Sequence, residues 1–183
     1  MPSLRASSTS NGSIEISKQN IVFLKGAEVG AGYLTIVQTS LTSDKLVGAK
    51  IKSDSKEENK SFFTRLTSIF SRDTPHPLIE LHDHIPSADN PDVMTMKPIK
   101  EGVEIPAGSK DSNGNGTPGK PVNFERSGKH LMLYHFPETI RNAPETEVIL
   151  TFEKAGDVTI IFPINPVSSE KEKPCPCHNE ASS

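Results

Sequence analysis

The chain has 183 residues, of which 33% are hydrophobic and 23% charged, with a formal net charge of −3. The length fits one domain with extensions, and the polar ends leave a core of roughly 100–130 residues, near the commonest domain size. An acidic balance argues against a phosphate-backbone binder, so no nucleic-acid partner is expected. No apolar run approaches the roughly 20 residues needed to span a bilayer, so no membrane span is expected.

Residues 1–12 are rich in Ser, Asn and Thr, a composition that predicts disorder. No apolar leader stands there, and the residues alone leave a trimmed secreted chain and a cytoplasmic one both open. Ile14, Ile16 and Ile21–Leu24 read as a strand entering a sheet, and Gly30-Ala31-Gly32 as part of a turn. Tyr33–Gln38 and Lys45–Ile51 are strands rich in β-formers. After the charged stretch Lys52–Lys60, Phe62, Phe63, Leu66, Ile69 and Phe70 recur at helical spacing, which predicts one short inserted helix.

Strands resume with Leu78–Ile85, Val93–Ile99 and Val103–Ile105. Pro106–Pro121 carries Gly108, Gly114, Gly116 and Gly119 among its Asn residues and reads as a flexible exposed loop. Val122–Phe124 and His130–Phe136 follow as strands, then a hairpin from Glu147–Phe152 and Val158–Pro163 around Lys154–Asp157. Roughly eight or nine short strands, regular turns and one helix predict an all-β antiparallel sandwich or Greek-key barrel. The domain spans residues 13–165, with insertions near 52–77 and 107–121. Residues 166–183 form a flexible polar tail containing Cys175, Cys177 and His178.

The chemistry is concentrated in three strands. Successive strand side chains point to opposite faces, so His130 shares a face with Met132, His82 with His84, and Met94 with Met96. Apart from Met1, these are all the Met of the chain, and they include three of its six His. Thioether and imidazole together suit Cu(I). Thioether forms no disulfide, so such a site survives where a thiolate site would oxidise. A blue-copper centre needs Cys, and both Cys lie in the tail; zinc sites favour Cys, His and carboxylates over thioether. Asp83, between two His, can serve an imidazole as acceptor only if it shares their face, and strand parity points it away. His135 falls on the opposite face from His130, and His76 lies between two Pro. The alternative is that each Met fills the core and each His is incidental.

Several segments also carry a resemblance. Gly32-Tyr33-Leu34-Thr35-Ile36, Leu46-Val47-Gly48-Ala49, Glu80-Leu81-His82, Val93-Met94-Thr95-Met96-Lys97-Pro98-Ile99, Gly102–Gly108, Gly128-Lys129-His130-Leu131-Met132-Leu133 and Leu150–Thr159 resemble, in the same order, the periplasmic copper chaperones of the PCuAC family. The resemblance covers about residues 21–164 and implies a cupredoxin-like β-sandwich in the periplasm. It implies Cu(I) bound by His82, Met96, His130 and Met132, with His84 and Met94 as auxiliary donors, and delivery toward the CuA centre of cytochrome c oxidase or another copper chaperone. The chain departs from the family in spacing, because the stretches between His82 and Met96 and between Met96 and His130 are longer. Such loop insertions cost little free energy.

Cys175, Cys177 and His178 form a soft-ligand group that can capture Cu(II) or Cu(I) and pass it to the core, or else lie idle. No Ser/His/Asp arrangement and no phosphate-cradling loop is present, so no enzyme is expected. The competing functions are a copper buffer without a dedicated acceptor and a β-sandwich interaction module without a metal.

Overall fold

The computed structural model describes residues 9–11, 13–23, 27–52 and 76–166. In chain order the strands are β1 (Thr9–Asn11), β2 (Ile14–Phe23), β3 (Gly30–Gln38), β4 (Asp44–Ile51), β5 (Leu78–Pro86), β6 (Met94–Pro98) and β7 (Val103–Ile105). They continue with β8 (Ser109–Lys110), β9 (Gly116–Thr117), β10 (Val122–Phe124), β11 (His130–Tyr134), β12 (Glu145–Phe152) and β13 (Gly156–Pro166). A four-residue helix α1 (Glu138–Arg141) lies between β11 and β12.

Seven strands close a ring in the order β2-β13-β12-β4-β5-β11-β3, completed by the β2–β3 pairing. Ring closure leaves no open sheet edge within the barrel wall. Strands β1, β6, β7 and β10 hang on β2, β5, β4 and β3. All pairings are antiparallel except β13 with β2. The ring is thinnest between β4 and β5, where the register has a single pair, Ala49 opposite Ile79. This all-β barrel matches the fold class read from the sequence.

Alternation builds the core. Leu34 and Ile36 of β3, Leu131 and Leu133 of β11, Val148 and Leu150 of β12, and Ile160 and Phe162 of β13 are all essentially inaccessible. Each such side chain contributes about 1.5–3 kcal/mol relative to exposure. Gly30 and Gly32, expected in a turn, instead lie within β3. A Cβ on Gly30 would sit 2.5 Å from the Phe23 ring, and one on Gly32 would sit 3.2 Å from the Leu131 Cβ. These glycines make room for large neighbours on the inner face rather than turning the chain.

The 106–121 stretch, expected to be a flexible exposed loop, is held at both ends. The Gly108 N–H donates to Ser40 O at 2.8 Å and the Gly119 N–H to Gln38 O at 2.7 Å. Between them β8 and β9 form a small exposed hairpin, whose tip turns on the Asp111 carboxylate accepting from the N–H groups of Asn113 and Asn115. Thr9–Asn11, within the segment expected to be disordered, pairs with β2. The inserted helix expected around Phe62–Phe70 and the Cys/His tail lie outside the described residues. Among the described residues, no helix is long and apolar enough to cross a membrane.

Candidate metal centre

The centre is built by register. On β5 and β11, His82 stands opposite His130, Leu81 opposite Leu131, and Glu80 opposite Met132. Directly opposed residues on antiparallel strands share a face. With Leu81, Leu131 and Leu133 pointing inward, alternation places Glu80, His82, His84, His130, Met132 and Tyr134 together on the outer face. β6 adds Met96 opposite His84 and Met94 opposite Pro86. Three adjacent ladders result: Met132 with Glu80, His130 with His82 and Pro98, and Met96 with His84.

The imidazoles touch. The His84 and His130 rings stack with centroids 5.0 Å apart, and His82 lies 6.1 Å from His130 in a tilted arrangement. Tyr134 closes one side, 6.3 Å from the His82 ring. His82 and His130 are buried at 7% and 3% exposure although they face outward, so their neighbours on that face shield them from water. Met132 is half-buried and Met96 exposed, so the two thioethers flank the imidazoles from a sheltered and an open side.

Hydrogen bonds set the ring orientations. The Gly128 carbonyl lies 2.9 Å from His130 Nδ1 and 3.3 Å from His84 Nδ1. A carbonyl only accepts, so both rings carry their hydrogen on Nδ1 there, and in the neutral ring Nε2 keeps its lone pair. His82 is held differently: its Nε2 lies 3.1 Å from Glu80 Oε2, and its Nδ1 is buried with no hydrogen-bond partner.

Burial pushes the His130 imidazole below its ordinary value of 6.5; the Gly128 hydrogen bond opposes this, and the neighbouring His84 and His82 add to it. The neutral ring, the form that binds metal, is therefore favoured. Burial, with the Glu80 charge second, raises the Tyr134 phenol.

The structure thus gathers His82, His84, His130, Met96 and Met132 on one face, with Met94 on the same face beside Pro86, one ladder further out and exposed. Asp83 points the other way and pairs with Lys129 at 2.9 Å. His76 and His135 are exposed. Cys175, Cys177 and His178 lie outside the described residues. Among the described residues, no three His, Cys, Asp or Glu side chains converge on one metal position. Thioether donors, or a rotation of the imidazoles, are therefore needed to complete any coordination sphere here.

Two groups were not anticipated. Glu80 carried a usable signal, since it sits two residues before His82 and so shares its face. The Gly128 carbonyl carried none, because a backbone acceptor becomes visible only with the register.

Comparisons with known proteins agree with this architecture. The family model for LpqE-like lipoproteins matches residues 57–164. No curated protein sequence matches significantly. Among solved structures, a copper-bound PCuAC domain from PmoF2 is similar with a TM-score of 0.54 at 19% identity, covering 87% of this chain and 98% of that one. The metal-free form of the PmoF2 domain gives 0.53 at 18% identity, covering 89% and 98%. A metal-free PCuAC domain from PmoF1 gives 0.52 at 16%, covering 87% and 99%. At these identities the likeness speaks for the fold: the chain has the fold of PCuAC domains.

Proposed function

The chain belongs to the LpqE-like family, and on that premise we propose that it is a copper carrier. In this reading it holds Cu(I) through His82, Met96, His130 and Met132 and passes it to an acceptor protein. The observation that supports this most directly is the ladder of soft donors on one face. His82 opposes His130, a thioether stands in each neighbouring ladder, and a buried imidazole nitrogen of His82 is left without a partner. An orphaned buried acceptor is costly unless something occupies it. The PmoF2 domain of similar fold is itself a copper-bound protein, which supports the same cargo here.

The chemistry follows from the donors. Cu(I) is soft and accepts imidazole and thioether. Thioether needs no deprotonation and binds more weakly than thiolate, so an incoming protein can replace one donor at a time, starting from exposed Met96. No bond is made or broken in the cargo, and no catalytic residue is required. His84 stands beside this set as an auxiliary donor, and Met94 lies further out. Membership of a lipoprotein family supports a setting outside the cytoplasm, where a site without thiolate is suited to oxidising conditions. The acceptor we propose is the CuA subunit of a cytochrome c oxidase or another copper chaperone; a transfer assay with each distinguishes delivery from simple buffering.

The test is Cu(I) titration in competition with a chromophoric chelator. The wild type is expected to take one Cu(I), and His82→Ala, Met96→Leu, His130→Ala and Met132→Leu each to weaken it. A wild type that takes no Cu(I), or a Met96→Leu/His130→Ala double variant of unchanged affinity, overturns the reading and leaves the interaction module.

A further inference from the structure

We propose that Glu80 is a positioning residue: it locks the His82 ring so that Nδ1, rather than Nε2, is the nitrogen presented to the metal. This rests on the copper reading above and assigns a role within that site.

Three observations carry it. Glu80 and His82 are two residues apart on β5 and share the outer face. The Glu80 Oε2 to His82 Nε2 distance is 3.1 Å. A carboxylate accepts, so the shared hydrogen sits on Nε2, and in the neutral ring the lone pair falls on Nδ1. That Nδ1 is buried and unpartnered, on a side chain only 9% exposed. The two other imidazoles are clamped in the opposite sense, Nδ1–H on the Gly128 carbonyl, and so present Nε2.

The difference is geometric. Metal-binding histidines are oriented by whatever accepts the hydrogen of their other nitrogen, and removing that acceptor commonly costs 10–100-fold in metal affinity. Across the His82–His130 ladder, one ring offers the nitrogen next to the strand and the other offers the distal one. The two residues are directly opposed across the strands, with Cβ atoms about 5 Å apart. Glu80 itself stands opposite Met132, so the carboxylate that orients one donor lies beside another.

The test uses the full chain with 15N-labelled histidine, with and without one equivalent of Cu(I), read by long-range nitrogen–proton NMR, together with chelator competition. Wild-type His82 is expected to be the Nε2–H tautomer without metal and to bind Cu(I) through Nδ1. Glu80→Gln, whose amide oxygen still accepts a hydrogen bond, keeps that pattern and loses under about tenfold in affinity. Glu80→Ala mixes the tautomers and loses about 10–100-fold.

Coordination of His82 through Nε2 in the wild type, or unchanged affinity in Glu80→Ala, overturns the assignment while leaving the copper reading intact. A Glu80→Gln variant as weak as Glu80→Ala also overturns it, because Glu80 would then act through its charge or as a ligand. A wild type that takes no Cu(I) overturns both.

Discussion

Asp44, at the start of β4, is the most informative single residue for how the barrel is held together away from the His/Met face. It is 2% exposed. Its Oδ1 accepts from the N–H groups of Lys45 at 2.7 Å and Lys154 at 2.9 Å, and its Oδ2 from that of Ala155 at 2.9 Å. One carboxylate therefore ties β4 to the turn joining β12 and β13. Hydrogen bonds to a charged group contribute about 1.5–3 kcal/mol each. Taking only the two that bridge distant segments, at the low end, Asp44→Ala should cost about 3 kcal/mol. That is a large share of a typical net stability of about 5–15 kcal/mol. With a urea slope near 2 kcal/mol/M, the midpoint should fall by about 1.5 M at unchanged slope. Asp44→Asn keeps Oδ1 but turns an amide NH2 toward the Ala155 N–H, so its midpoint should fall between the two. A midpoint within about 0.3 M of wild type for Asp44→Ala, or Asp44→Asn as unstable as Asp44→Ala, would refute the clamp.

Three further outcomes are expected. A Cβ on Gly119 would lie 2.1 Å from the Pro106 carbonyl oxygen, whereas one on Gly116 meets nothing within 4 Å. Gly119→Ala should therefore lose about 2 kcal/mol and Gly116→Ala under about 0.5 in denaturant melts; equal effects would show that the 106–121 stretch is not pinned. Because burial depresses His130 below 6.5, the unfolded chain binds its proton at higher pH than the folded one. The metal-free protein should then lose stability as pH falls through 6.5 toward the folded value, and His130→Gln should flatten that slope in thermal melts. Asp83→Asn should leave Cu(I) affinity within about twofold, since strand parity puts Asp83 and its part-buried ion pair with Lys129 on the opposite face from the donors; a larger loss would bring Asp83 into the site.

The fold was legible where alternation was clean. Leu131 and Leu133 against His130 and Met132, and Ile79 and Leu81 against His82 and His84, divided into an inner and an outer face as strand parity requires. What parity could not supply was partnership. That His82 faces His130, and that Met96 faces His84 rather than either of them, depends on register, which turns and distant pairings decide. Gly30 and Gly32 misled because glycine marks both turns and close approaches, and only the Phe23 and Leu131 side chains distinguish the two. The 106–121 loop looked flexible because its composition does not encode the two backbone hydrogen bonds that hold its ends. Asp83 was rightly set aside on parity, but Glu80 was overlooked, although the same parity places it on the face of His82.

The place of β6 outside the ring has a consequence for exchange of amide hydrogens with solvent. β5 and β11, which carry His82, His130 and Met132, sit in the closed wall, and β11 is bonded on both sides. β6, which carries Met96, is bonded to β5 alone. Local opening of β6 breaks one row of hydrogen bonds and leaves the core covered, so its amides should exchange by fraying. Those of β11 should exchange only through opening of the whole barrel. Three of the proposed donors thus belong to one cooperative unit and the fourth to another, so the protein can withdraw a single sulfur from the group without unfolding.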